Sequence, residues 1–306
     1  MSRKTWTYEV DKTKHILKNN EFISEEGEVI KLHDKTLENV AMNIVNYKED
    51  EEEKKQNIKK YYYDKECAEN EIVNKLGNFY FSFYNNLPKI EKQYLFRFIF
   101  MSTYIKYEDN RMMLKEDNNR YKLIKESELQ EILKLSKSEY YRTKNALLDN
   151  NLIFIDDNDS VHINNKISAF KSIDNKKNTY TRIFKNTIRE LYNRSLAREH
   201  KRLFIFIDLL PYINFNLNII CFNPSEVSPE LIEPMTIKDI QKVLGDNADK
   251  NIARFKNTLL NTFVHNEKVI MIVKDFEKEF LVINPKMYYK GNKTEDLNYL
   301  INLFSV

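Results

Sequence analysis

Arginine and asparagine three residues apart occur twice in one frame: Arg142-Thr143-Lys144-Asn145-Ala146-Leu147-Leu148 and Arg254-Phe255-Lys256-Asn257-Thr258-Leu259-Leu260. On a helix that spacing places both side chains on one face. Arginine grips guanine through two hydrogen bonds and asparagine does the same for adenine, so such a face in a major groove reads base edges. In the first copy, Leu135 to Leu148 has the layout of a recognition helix, with Ser136 or Ser138 capping its start. Tyr140, Thr143 and Leu147 pack inward at i, i+3 and i+7, leaving Lys137, Ser138, Tyr141, Arg142 and Asn145 facing out. In the second copy Ile252, Phe255 and Leu259 pack inward, and Lys250, Asn251, Arg254 and Asn257 face out. Serine and lysine at a helix start suit phosphate, because backbone N–H groups also point outward there. The competing reading is an ordinary amphipathic helix with a solvated face. Recurrence of Arg and Asn at matched positions weighs against it, although shared ancestry would also preserve them.

Other chemistries find little support. The five histidines, His15, His33, His162, His200 and His265, are scattered, and no two are separated by a single residue. That excludes the paired-histidine metal site of a rolling-circle nickase, although 19 tyrosines would supply nucleophiles. His162 sits in a strand pattern and reads as structural. No serine lies in a nucleophile elbow, and no carboxylate cluster fits two-metal chemistry. With 4 glycines there is no phosphate-cradling loop or dinucleotide fingerprint. Cys67 and Cys221 are too few for a disulfide framework or a zinc site and fit a reducing compartment. No catalytic residue, metal or cofactor is expected. A net charge of +3 is too small to argue for nucleic acid by itself.

The elements that must position these helices also recur. Leu95-Phe96-Arg97-Phe98-Ile99 returns as Leu203-Phe204-Ile205-Phe206-Ile207, and Ile163-Asn164-Asn165-Lys166 as Ile283-Asn284-Pro285-Lys286. The offset grows along the chain, from 108 (Leu95 to Leu203) through 112 (Arg142 to Arg254) to 120 (Ile163 to Ile283). Growth confined to connectors marks one module present twice with different loop lengths. The expected repeat begins earlier still, because Asn78, Tyr84 and Asn85 match Asn186, Tyr192 and Asn193 at 108. Leu76, Phe79, Tyr80, Phe83, Tyr84 and Leu87 recur at three- and four-residue steps and predict a long helix from about Ile72, with Phe184, Ile188, Leu191 and Tyr192 as its counterpart. Its aromatic stripe reads as core, with a homodimer interface as the alternative.

Apolar helices follow at Tyr94–Tyr104 and Leu203–Tyr212, then short helices at Glu126–Leu133 and Thr236–Leu244. Thr236 with Asp239 three residues on forms a variant capping box. Asn218 to Pro224 reads as a short strand closed by proline. Each copy ends in two apolar strands around a polar tip, a β-hairpin: Leu152–Ile155 with Val161–Ile163, and Val269–Val273 with Phe280–Ile283. Three helices and such a hairpin predict a winged helix. The first tip carries Asp156, Asp157 and Asp159 and would repel phosphate; the second offers Lys274 and Lys278 among acids.

The expected fold class is mainly α with small β-hairpins (α+β), in two tandem winged-helix domains. With 306 residues and 42% hydrophobic content, each domain has chain enough for its own core. Residues 1–70 form an arm, partly disordered or a short hairpin around Glu25-Glu26-Gly27, with a solvated charge run from Tyr47 to Lys55. The first domain spans 71–172, a polar linker 173–178, the second domain 179–292 and a C-terminal helix 293–306. The N-terminus lacks the apolar run of a signal peptide, and no stretch of about 18 apolar residues could span a membrane. A cytoplasmic protein is expected, from a low-GC bacterium or its plasmids or phages given the richness in Lys, Asn, Ile and Tyr.

Three segments carry a resemblance: Leu209-Leu210-Pro211-Tyr212-Ile213-Asn214, Asn218-Ile219-Ile220-Cys221-Phe222-Asn223-Pro224, and Ile283-Asn284-Pro285-Lys286-Met287-Tyr288-Tyr289-Lys290-Gly291. Together they resemble replication-associated winged-helix proteins of low-GC Gram-positive plasmids and phages, mainly over the second copy. The tandem layout is similar to iteron-type plasmid initiators, whose two winged helices bind successive major-groove faces of an origin repeat. The resemblance implies double-stranded DNA as partner, binding to origin repeats, and strand opening with host replication proteins. A dimeric transcriptional regulator and a protein-interaction scaffold are the alternatives.

Overall fold

The computed structural model describes residues 21–23, 29–31, 34–116, 120–170, 180–245, 250–275, 278–291 and 294–305. It is a mixed α+β protein in two compact units, Met1–Cys67 and Ala68–Val306. In the first, β1 (Glu21–Ile23) pairs antiparallel with β2 (Val29–Lys31), the hairpin expected there. Helix α1 (Asp34–Leu76) then runs on through the unit boundary, so the arm continues as helix and position 70 is not a break. Residues 50–64 are all exposed, so from Asp50 to Lys55 the charge run is a solvated helix face.

Helix α1 stops where Gly77 takes φ +88° and donates its N–H to the Val73 carbonyl at 2.8 Å. A Cβ there would meet Asn186 at an ordinary 3.7 Å, so the demand for glycine comes from the left-handed backbone. The long helix expected to carry Phe79 to Leu87 therefore does not form. Strand β3 (Phe79–Ser82) takes its place, with all four residues buried. An aromatic at almost every position satisfies a helical period by accident; burial on both faces is what selects a strand.

After a 3₁₀ turn at Tyr84–Asn86, the first copy continues through α2 (Lys92–Met101), a 3₁₀ turn at Ser102–Tyr104, and strands β4 (Ile105–Lys106), β5 (Asp109–Lys115) and β6 (Tyr121–Leu123). Helices α3 (Leu129–Ile132) and α4 (Lys137–Asp149) precede the hairpin β7 (Ile153–Ile155) and β8 (Val161–Ile163), then β9 (Ser168–Ala169). The second copy runs β10 (Thr181–Phe184), α5 (Lys185–Arg194), α6 (His200–Leu203), α7 (Ile205–Asp208), α8 (Ile237–Leu244) and α9 (Ile252–Leu260). It ends in a tight hairpin, β11 (Phe263–Val264) with β12 (Glu267–Lys268), the long hairpin β13 (Ile270–Asp275) with β14 (Lys278–Ile283), then β15 (Tyr288–Tyr289) and α10 (Thr294–Phe304). The expected capping box holds: Thr236 Oγ1 accepts from the Asp239 N–H at 3.2 Å, and Asp239 Oδ2 from the Thr236 N–H at 2.9 Å.

The two copies meet in one four-stranded sheet of order β15-β10-β3-β9, antiparallel throughout. Phe81 opposes Ala169 and Ser82 opposes Ser168, as Arg182 opposes Tyr289 and Ile183 opposes Tyr288. Corresponding strand residues are thus 101 apart (Phe81 to Arg182), not the 108 read for Asn78, Tyr84 and Asn85. Asn78 therefore has no counterpart at 108, whereas Tyr84 and Asn85 do correspond to Tyr192 and Asn193: the Leu87 N–H donates to the Tyr84 carbonyl as the Ser195 N–H donates to the Tyr192 carbonyl, both at 3.2 Å, and the shift from 101 to 108 is taken up by the longer α5. The later matches are structural. Asn164 closes the first hairpin by accepting from the Lys166 N–H at 2.9 Å through Oδ1, and Asn284 accepts from the Lys286 N–H at 2.9 Å in the same way. On the outer edge of each hairpin, Arg111 faces His162 and Ile219 faces Val282.

A continuous core joins the copies, running from Tyr80, Phe96 and Leu147 in the first to Phe206, Leu259 and Ile283 in the second. Helix α2 packs on α6, so the copies are not two domains with separate cores. Buried polar pins cross between them. Arg189 donates to Thr103 Oγ1 and to its carbonyl, both at 2.9 Å, and Tyr192 OH donates to the Leu133 carbonyl at 2.8 Å. On the other face of the sheet, Leu297, Leu300 and Phe304 of α10 join Ile72 and Leu76 over Phe79, Phe81 and Phe184. The expected linker, 173–178, lies outside the described residues. No described helix is long and apolar enough to cross a membrane.

Candidate nucleic-acid interface

Helix α4 forms as its sequence dictates. Ser136 is the cap, its Oγ accepting from the Glu139 N–H at 3.4 Å, and Tyr140, Thr143 and Leu147 form the buried stripe. Lys137, Ser138, Tyr141, Arg142 and Asn145 are all exposed, so the five outward residues share the solvent side. Tyr141 is 46% exposed and the Arg142 side chain 69%, its nearest acid being Glu139 at a loose 3.8 Å. Lys144 is withdrawn from this face. It pairs with Glu126 at 2.6 Å and lies against the rings of Tyr140 and Tyr141.

What orients α4 is largely Arg97, a residue that counted in the sequence only as part of an apolar repeat. Its side chain is 1% exposed; Nη1 donates to Glu139 Oε1 at 2.7 Å and to Thr143 Oγ1 at 2.6 Å. Nε donates to His200 Nδ1 at 3.2 Å, and Nη2 reaches the Ala197 carbonyl at 3.4 Å. Burial together with the neighbouring guanidinium pushes the His200 imidazole down to about 3, so His200 is a neutral acceptor. The corresponding residue in the second copy is Ile205, and Arg97 is the position where the apolar repeat breaks.

Helix α9 repeats α4 with differences. Its cap is Asn251, whose Oδ1 accepts from the Arg254 N–H at 3.0 Å, so this outward asparagine is also a structural residue. Phe255, Thr258 and Leu259 are buried; Arg254, Lys256 and Asn257 are exposed, and Lys250 is exposed ahead of the helix. Ile252, expected to pack inward, is 44% exposed. It corresponds to Tyr140 at the 112 offset, but α9 begins at Ile252, and a first-turn side chain has no preceding turn to pack beneath. Lys256 is exposed where Lys144 is sequestered, a difference set by Glu126 and invisible to the local pattern. Asn257 Oδ1 accepts from Asn261 Nδ2 at 2.7 Å.

The first hairpin tip is organised by Asp156. Its Oδ1 accepts from the N–H groups of Asn158 and Ser160, both at 2.9 Å, and Oδ2 contacts His162 Nε2 at 2.8 Å. The His162 hydrogen bond, followed by those backbone bonds, holds its carboxyl at about 2, so the tip stays anionic. Phe154, 52% exposed, stacks on His162 at 4.1 Å. In the second hairpin Lys274 pairs with Glu279 at 2.9 Å. Among the described residues no group of three or more His, Cys, Asp or Glu is placed to hold a metal. Cys67 is exposed; burial pushes the Cys221 thiol up to about 11. No protein-family model matches the chain, and no curated protein or solved structure matches it.

Proposed function

We propose that this protein binds double-stranded DNA sequence-specifically through α4 and α9, the recognition helices of two winged-helix modules. The observation that carries the reading is the placement of Arg142 and Asn145, and of Arg254 and Asn257, on the exposed faces of two equivalent helices whose opposite faces are locked in one core. The strand neighbours support the same reading: β5 lies beside β8, the second strand of the hairpin that follows α3 and α4, and Ile219 bridges Val282 in the hairpin that follows α8 and α9. A rigid, exposed Arg/Asn face suits bidentate base contacts, and the exposed N-terminal turn with Lys137 and Ser138 suits phosphate.

Within that class we favour a replication initiator of a plasmid or phage, acting at origin repeats with host replication proteins; a transcriptional regulator is the runner-up. Selection of bound sequences by the full chain from a random duplex pool tests the DNA reading, and an unenriched pool would overturn it. A scaffold role draws on one observation, the anionic first tip with the exposed Phe154–His162 stack beside it, which suits a protein contact better than phosphate.

A further inference from the structure

The central sheet sets the symmetry between the two copies. β3 and β10, the first strands of their copies, lie side by side and antiparallel. The flanking pairs correspond one to one, and the Phe83 N–H donates to the Ile167 carbonyl as the Phe184 N–H donates to the Met287 carbonyl. Equivalent strands that neighbour each other antiparallel are exchanged by a half-turn about an axis between them; a translation would leave them parallel. The same half-turn exchanges α2 with the α6–α7 segment, which meet across the axis, and exchanges the edge pair Arg111–His162 with Ile219–Val282. It therefore exchanges α4 with α9. A two-fold places exchanged groups at equal height along its axis and equally inclined to it, so Arg142 and Arg254 are symmetrically disposed toward a duplex lying across that axis.

We infer that the DNA site of this protein is a pair of inverted half-sites occupied by a single chain, an inference that rests on the DNA-binding reading of α4 and α9. Duplex DNA has its own two-fold axes perpendicular to the helix, and site symmetry follows protein symmetry when the two coincide. An inverted site would here report an internal two-fold and not a dimer. The half-sites are related but not identical. Each meets an Arg and an Asn three residues apart, while Ser138 and Tyr141 correspond to Lys250 and Ala253 at the 112 offset. Helix α4 also begins nearly one turn earlier, since the Asn251 cap corresponds to Glu139. The site is thus an imperfect inverted repeat whose elements share a core and differ at one flank, with centres about 10 bp, or a multiple, apart.

The test uses the full chain. A random duplex pool is selected, the enriched duplex is footprinted with the wild type and with Arg142→Ala and Arg254→Ala, and chains per duplex are counted by analytical ultracentrifugation. Expected are one element recurring in inverted orientation within a single protected region and one chain per duplex. Each variant, with unchanged circular dichroism, should lose affinity by roughly five- to 150-fold and lose protection over a different half. A direct repeat, a lone element, or two chains on the inverted site would overturn the inference while leaving DNA recognition standing. An unenriched pool would overturn the DNA reading and this inference together.

Discussion

The guanidinium of Arg97 and the carboxylate of Glu139 form a 2.7 Å ion pair in which the arginine is 1% exposed and the glutamate 26%. The pair joins α2 to the first turn of α4, and the bond from Arg97 to His200 carries the tie into the second copy. The two partners stand in unequal surroundings, so their removal should have unequal consequences.

Glu139→Ala strands a buried cation with only neutral partners, an uncompensated charge that typically costs about 3–5 kcal/mol. Arg97→Met leaves a carboxylate that reaches water and sits in a helix first turn, where negative charge is favourable. We expect Glu139→Ala to be the more destabilising of the two in urea unfolding, and Arg97→Met to restore part of the loss when combined with it. Equal or reversed losses would show that Arg97 is not the charge that matters.

Acid should weaken the protein through His200. Its pKa falls from 6.5 to about 3 in the fold, through burial first and the Arg97 charge second. The unfolded chain takes up this proton below 6.5 and the native state does not, so stability declines as pH falls from 6.5 toward 3. Protonation at Nδ1 would also destroy the acceptor for Arg97 Nε. His200→Phe should flatten that stretch of the stability–pH curve at some loss of stability at neutral pH. An unaltered slope in the variant would mean other groups drive acid unfolding.

On the alkaline side the sign is the same, because the groups are again bases whose pKa the fold lowers. Burial lowers Lys185 from 10.5 to about 7 and Lys290 from 10.5 to about 8. Between those values and 10.5 the unfolded chain holds the extra protons, so stability rises with pH. Tyr84, pushed up to about 12, and Tyr192, pushed higher still, act oppositely above 10.0, where unfolded tyrosines begin to ionise. Thermal unfolding should therefore show greater stability near pH 9 than near pH 7, by an amount reduced in Lys185→Met. A flat profile across that interval would refute the burial of these amines as charged-form penalties.

If the helices read DNA as proposed, Arg142→Ala and Arg254→Ala should each weaken specific binding by about 1–3 kcal/mol while leaving unfolding free energy almost unchanged. Fluorescence anisotropy on a selected duplex measures the first and urea unfolding the second. Affinity should also fall steeply as salt rises, since phosphate contacts release counterions. Salt-independent affinity would contradict a phosphate-led interface.

Much of the α4 face was legible in the chain itself. The Ser136 cap, the Tyr140/Thr143/Leu147 stripe, the exposed set around Arg142 and the Thr236 capping box are relations between residues at most seven apart, written in a helix's own period. The hairpins were legible for the same reason, as was the terminal helix, which forms at Thr294–Phe304. Ile252 failed because one residue's inward position depends on where the helix starts, and the start is decided by the Asn251 cap.

The sequence by itself determined the local elements and the existence of a repeat, because periodicity, capping and turn chemistry act within a few residues of chain. It also set the identities at Arg142, Asn145, Arg254 and Asn257. Only the tertiary structure decided that Phe79–Ser82 is a strand, that Arg97 locks α4 to the second copy, and that the copies are related by a half-turn. The pairing of Phe79 with Phe184 joins residues 105 positions apart. No local signal encodes it; its register follows from burying both faces of one shared sheet at once.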